Sequence, residues 1–122
     1  MGIHIMPGVN LKGIQPQMIV ALMVADTAYG TLGYDCILTS AVRNGTWDEV
    51  LLHGTGCAID LSVRTLHGSL LPDRDVDVIY AQINAVLGKS GGGQYDVVDE
   101  RPSRNPSSKS TGPHIHIEFD PK

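Results

Sequence analysis

The chain has 122 residues and a mass of 13.1 kDa, enough for one domain, residues 1–122, and too little for two. Hydrophobic residues make up 42% and charged residues 18%, which supports a packed core and excludes global disorder. A formal net charge of −4 and an aromatic content of 5% argue against a nucleic-acid binder that tracks phosphates or stacks bases.

The first expected element is a helix. Pro16 opens it, the run Met18-Ile19-Val20-Ala21-Leu22-Met23-Val24-Ala25 carries it, and Gly30 lies near its end. It is apolar on most faces, which predicts a helix inside the core. Tyr34 to Ser40 reads as a strand, and Asn44-Gly45 as a turn. Cys57 to Val63 alternates with a period of two, so Ile59, Leu61 and Val63 face one way and Ala58, Asp60 and Ser62 the other. A second helix is expected from Pro72 to Leu87, amphipathic through Val76, Ile79, Ile83 and Leu87, with Gly88 as its cap. After the Ser90-Gly91-Gly92-Gly93 loop, Tyr95 to Glu100 forms a third strand. Residues 101–113 are polar and rich in Pro and Ser, which predicts a mobile loop. His114 to Phe119 is the last strand, with Ile115, Ile117 and Phe119 facing the core. The pattern is α+β, with two main helices and a small, mainly antiparallel sheet.

No apolar run approaches the ~18–20 residues of a membrane span. The opening Met-Gly-Ile-His-Ile-Met lacks the basic segment and apolar core of a secretory signal. The expectation is a product made in the cytoplasm, with no membrane partner; action outside the cell would require release by another agent. Cys36 and Cys57 both sit in apolar runs and read as reduced thiols, although one bridge between them stays open.

The chemistry concentrates on two strands. His114, His116 and Glu118 share one face of the last strand because successive side chains alternate. Asp60 lies on the non-core face of its own strand. His53 precedes it by seven residues, and Gly54 and Gly56 allow the backbone to fold His53 back towards it. Two imidazoles and a carboxylate suit zinc and leave a coordination position for water. A His-x-His pair alone is more often a solvated surface pair. His4 and His67 have no partner in the pattern and read as surface residues.

The joint pattern is more specific. His53-x-x-Gly56-x-Ala58-x-Asp60, followed about fifty residues later by His114-x-His116, resembles the D-Ala-D-Ala metallopeptidase family, which includes cell-wall carboxypeptidases and phage endolysins and shares its fold with the hedgehog signalling domain. The segment from Gly8 to Pro16 looks like the approach to the first helix in compact members. Leu38-Thr39-Ser40-Ala41-Val42-Arg43 is similar to the family's Thr-Ser-Gly-aromatic-Arg segment, with Ala41-Val42 in place of Gly-aromatic. The ending His114-Ile115-His116-Ile117-Glu118-Phe119-Asp120-Pro121 looks like its closing strand.

The resemblance implies a hedgehog/DD-peptidase-like fold, with zinc held by His53, Asp60 and His116. It also implies that His114 lines the catalytic site and that Ser40 and Arg43 bind substrate. Arg43 suits a substrate carboxylate through two parallel hydrogen bonds, and equally a solvated turn position beside Asn44-Gly45. For the general base the expectation is Glu100, in Val97-Val98-Asp99-Glu100, with residues 101–113 as an insertion before His114; Glu118 and Asp99 are the alternatives. Many relatives place an acid three residues before the first His of His-x-His, where this chain has Thr111.

The implied activity is that of a monomeric zinc peptidase acting on the peptidoglycan stem peptide, at the D-Ala-D-Ala bond or within the stem. Its compact size suits a phage lysis or virion protein. The rival is a zinc-stabilised binding module of the same fold without turnover, because fold does not settle function.

Overall fold

A computed structural model of the chain describes residues 2–41, 57–89, 92–106 and 112–119. In chain order these form β1 (Ile3–Ile5), α1 (Pro16–Thr31), β2 (Cys36–Ser40), β3 (Ala58–Ser62), α2 (Asp73–Leu87), β4 (Tyr95–Asp99) and β5 (His114–Phe119). The strands make one five-stranded sheet in the order β1-β2-β3-β5-β4. All neighbours are antiparallel except β1 and β2, which run parallel across the α1 crossover. The fold is therefore α+β with two helices and a mostly antiparallel sheet, as expected from the patterning.

Local chemistry explains the helix limits. Pro16 starts α1 at a position where its missing N–H costs nothing. The helix runs past Gly30 and ends at Gly33, whose φ of +83° is the left-handed conformation that glycine adopts without strain. There the Tyr34 N–H reaches back to the Tyr29 carbonyl at 3.1 Å, closing a Schellman turn. Pro72 precedes α2, and Asp73 and Asp75 place negative charge in its first turn, where the helix dipole favours it. Gly88 ends α2 with extended backbone. A Cβ there would lie 2.6 Å from the Asn84 carbonyl oxygen, so close approach explains this glycine.

Both helices pack on one face of the sheet. Met18, Ala21, Leu22, Ala25 and Tyr29 of α1 meet Val76, Ile79 and Ile83 of α2 over Leu38, Ile59, Leu61, Ile115 and Ile117. The amphipathic stripe of α2 is buried at all four expected positions. Tyr29 is fully buried and donates its hydroxyl hydrogen to the Ser62 carbonyl at 2.8 Å, and burial pushes its pKa well above the ordinary value. Cys36 is a buried free thiol that burial pushes up to about 12, and Cys57 is half-buried.

Two expectations need correction. First, α1 is not enclosed: Ile19, Val20 and Met23 are 44%, 51% and 61% exposed. A single sheet layer buries only one side of a helix, and no described element covers the other. Second, Ile3–Ile5 form an extra strand, and His4 has a partner, its Nε2 lying 3.5 Å from Asp35 Oδ2. The segment 101–113 is anchored where it begins. Arg101 is 3% exposed, and its carbonyl accepts hydrogen bonds from the Arg104 and Asn105 amides, forming a tight turn.

The edge strand β4 is also blunted. Its outward Val97 carbonyl accepts the Tyr80 hydroxyl at 3.2 Å, and Gly88 bridges to Tyr95. No helix among the described residues is long and apolar enough to cross a membrane.

The placement of β5 yields a stability prediction. Ile117 is fully buried on the core face of β5, between β3 and β4. Ile117→Ala should lower the unfolding free energy by about 2–5 kcal/mol in denaturant titrations, with the slope unchanged.

Candidate metal centre

The site lies on the sheet face opposite the helices, and strand alternation builds it. Ile115 and Ile117 enter the core, so His114, His116 and Glu118 project to the other side. In the β3–β5 register Asp60 stands opposite His116, and Ser62 opposite His114. Asp60 is thus brought beside two imidazoles across 56 residues of sequence. A register shift between β2 and β3 then re-aims Ser40. Leu38 pairs with Leu61 in the core, but Ser40 pairs with Asp60, which turns Ser40 onto the site face. Its buried hydroxyl oxygen has no hydrogen-bond partner among the described residues.

The geometry favours protonated rings when no metal is bound. Asp60 is 7% exposed, and its Oδ1 lies 2.8 Å from His116 Nδ1 and 3.3 Å from His114 Nε2. The other ring nitrogen of His114 lies 2.9 Å from the Gly112 carbonyl oxygen. Carbonyl and carboxylate oxygens only accept, so these two contacts favour a proton on each nitrogen of His114. His116 Nε2 lies 3.8 Å from Glu118 Oε2, beyond hydrogen-bond distance but within reach of its charge.

Titration follows from these contacts. Burial opposes the charge on Asp60, but hydrogen bonds from His114 and His116 outweigh it and hold the carboxyl well below the usual carboxylate range. Burial opposes a proton on His116, but the Asp60 hydrogen bond and the Glu118 carboxylate outweigh it and push the pKa up to about 9. His114 is raised as well: burial opposes its proton, while Asp60, the Gly112 carbonyl and the charge of Glu100 favour it.

One ligand atom from each of Asp60, His114 and His116 can be chosen so that all lie within 4.8 Å of one another. Two imidazole nitrogens and a carboxylate oxygen are a donor set that fits a divalent transition metal. The third ligand is the point of difference from the sequence reading. The resemblance implies His53 in that place and His114 only as a lining residue, whereas the described residues group His114 with Asp60 and His116. His53 and Arg43 lie outside the described residues.

Glu100 directly follows β4, and its backbone lies beside the start of β5. Its amide donates to the His114 carbonyl at 2.9 Å, which continues the β4–β5 register in which Val98 faces His116 and Asp96 faces Glu118. Asp99 takes the opposite face and bonds Arg101, so it leaves the list of candidate bases.

Sequence reasoning missed the Arg101 network behind this strand. Its signal was present in Asp73 and Asp77, an acidic pair one helical turn apart that calls for a cation. No protein-family model matches the chain, nor does any curated protein or solved structure.

Two outcomes follow for the metal-free protein. His116 titrates higher folded than unfolded, so its contribution is complete below about pH 6.5 and is lost as pH rises through about 9. The depressed Asp60 contributes above about pH 4 and loses its effect as pH falls through its folded value. Denaturant midpoints of metal-free protein should therefore plateau between these limits and fall on the alkaline side; an unchanged midpoint from pH 6.5 to 9.5 would contradict the assigned protonation. Metal must also displace the ring protons. Apparent affinity should rise roughly tenfold per pH unit for each proton released between pH 6.5 and 9, and calorimetry in buffers of different ionisation enthalpy should count between one and two protons.

Proposed function

We propose that the chain is a zinc-dependent peptidase acting on peptidoglycan stem peptides, with the hedgehog/DD-peptidase-like fold that the sequence resembles. The observation that carries the metal chemistry is the Asp60, His114 and His116 group, with ligand atoms within 4.8 Å of one another. Support for hydrolysis comes from Glu100, whose amide is bonded to the His114 carbonyl and whose charge reaches the His114 ring. The peptide substrate is inferred from the resemblance of His53-x-x-Gly56-x-Ala58-x-Asp60 and His114-x-His116 to the D-Ala-D-Ala metallopeptidases.

Asp60, His116 and a third imidazole, from His114 or His53, hold the zinc. Zinc, when bound in an open site, polarises a carbonyl and lowers the pKa of water to about 7. The Glu100 carboxylate takes the proton of the attacking water and passes it to the leaving amine nitrogen. Ser40, which stands opposite Asp60 in the β2–β3 register, contributes to substrate binding. Arg43 holds a terminal carboxylate through its planar fork.

Three variants test this reading. The protein should bind one zinc and cleave stem peptides, and a chelator should stop the cleavage. His116→Ala should lose stoichiometric zinc; a full equivalent of tightly held metal in that variant would refute the ligand set. Glu100→Gln should keep zinc and lose turnover by roughly a hundredfold to ten-thousandfold. Arg43→Ala should impair free-carboxylate peptides by roughly tenfold to a hundredfold more than amidated ones. Zinc binding with every peptide left intact would identify a binding module instead.

A further inference from the structure

Behind the site face, β4 ends in a clamp that the proposed chemistry does not use. The Arg101 guanidinium has five N–H donors, and each meets an acceptor. Nε donates to Asp99 Oδ1 at 2.9 Å, and Nη2 to Asp99 Oδ2 at 2.6 Å and Asp77 Oδ1 at 2.5 Å. Nη1 donates to the Asp73 carbonyl at 3.1 Å and to Asp73 Oδ1 at 3.0 Å. Arg104 grips Asp77 from outside through two parallel bonds of 3.0 Å. One 4%-exposed side chain therefore ties the end of β4 to the first turns of α2.

Glu100 sits between the two clamped residues. Asp99 and Arg101 are both drawn to the helix side, and alternation turns Glu100 to the opposite face, beside His114. We infer that Arg101 is a positioning residue for Glu100, the base of the proposed reaction: its fork fixes the backbone on both sides of Glu100 and so aims that carboxylate at the Asp60, His114 and His116 group. The same fork anchors the beginning of the segment that leads to His114, whose ring is held at the far end by the Gly112 carbonyl. A lysine cannot replace it, because one ammonium cannot span three carboxylates in fixed planar geometry.

Amide hydrogen exchange on the metal-free protein reads this without any activity. Two variants are compared: Arg101→Lys, which keeps the charge and loses the fork, and Arg101→Met with Asp99→Asn, which removes a charge of each sign. In both, exchange at the Glu100 amide should accelerate by roughly tenfold to a hundredfold, the worth of a bond to a charged group. Amides of Ile59 and Ile117 should stay within about threefold of the parent. Equal acceleration at all three positions, or none at Glu100, would overturn the inference, since a merely structural arginine loosens the whole domain or nothing near the site.

Turnover gives the second reading. Arg101→Lys should lower kcat without raising KM, and Arg101→Lys combined with Glu100→Gln should be no slower than Glu100→Gln alone. Losses that multiply in the double variant would also overturn it. Normal turnover in Glu100→Gln rejects Glu100 as the base, whereas the exchange pattern separately decides whether Arg101 holds it.

Discussion

A single carboxylate oxygen shared by two histidine rings is the constraint around which the sheet face is arranged. Asp60 is nearly inaccessible to water, and removing a charge from water costs several kcal/mol unless strong partners replace the lost hydration. His114 and His116 supply those partners. A well-packed apolar trio would stabilise the fold at least as well, so stability alone does not explain a charged group at this depth. Concentrated ionisable side chains with displaced titration are what functional sites require.

Everything that brings these groups together is backbone geometry. Strict alternation along β5 sends isoleucines into the core and histidines out of it, so core packing and site orientation are one property of one strand. The register shift in β2 adds Ser40 to the same face, and a slip of one residue between β3 and β5 would bury the histidines and expose the isoleucines. The large apolar cost of that slip holds the site in register. The helices contribute from behind, through the core and through the Arg101 clamp.

The sequence made much of this legible because the signals were local. The stripe Val76, Ile79, Ile83 and Leu87 specifies α2, and alternation specifies the strands and puts His114 and His116 on one face of β5, whereas the grouping of both with Asp60 comes from the β3–β5 register. Other features depend on distant partners. Ile3–Ile5 is short and exposed, so no burial pattern marks it, and it becomes a strand only by pairing with β2 beyond α1. The bend of β2 at Thr39 depends on β3. Arg101 reads as one charge in a polar loop until Asp73 and Asp77, 28 and 24 residues earlier, are seen around it. The apolar outer side of α1 misled for the opposite reason: composition predicts burial without saying how many layers are available to supply it.

The strand order also governs how the molecule comes into being. β5 is the last of the described strands in sequence, yet it lies inside the sheet, between β3 and β4. Until it inserts, β4 has no strand beside it, the floor of the core lacks Ile115 and Ile117, and Asp60 has neither imidazole. Closing contacts so far apart in the chain is slow compared with forming either helix. A chain lacking β5 therefore has neither the isoleucine floor of the core nor the histidines beside Asp60, so hydrophobic closure and assembly of the polar face depend on the same strand.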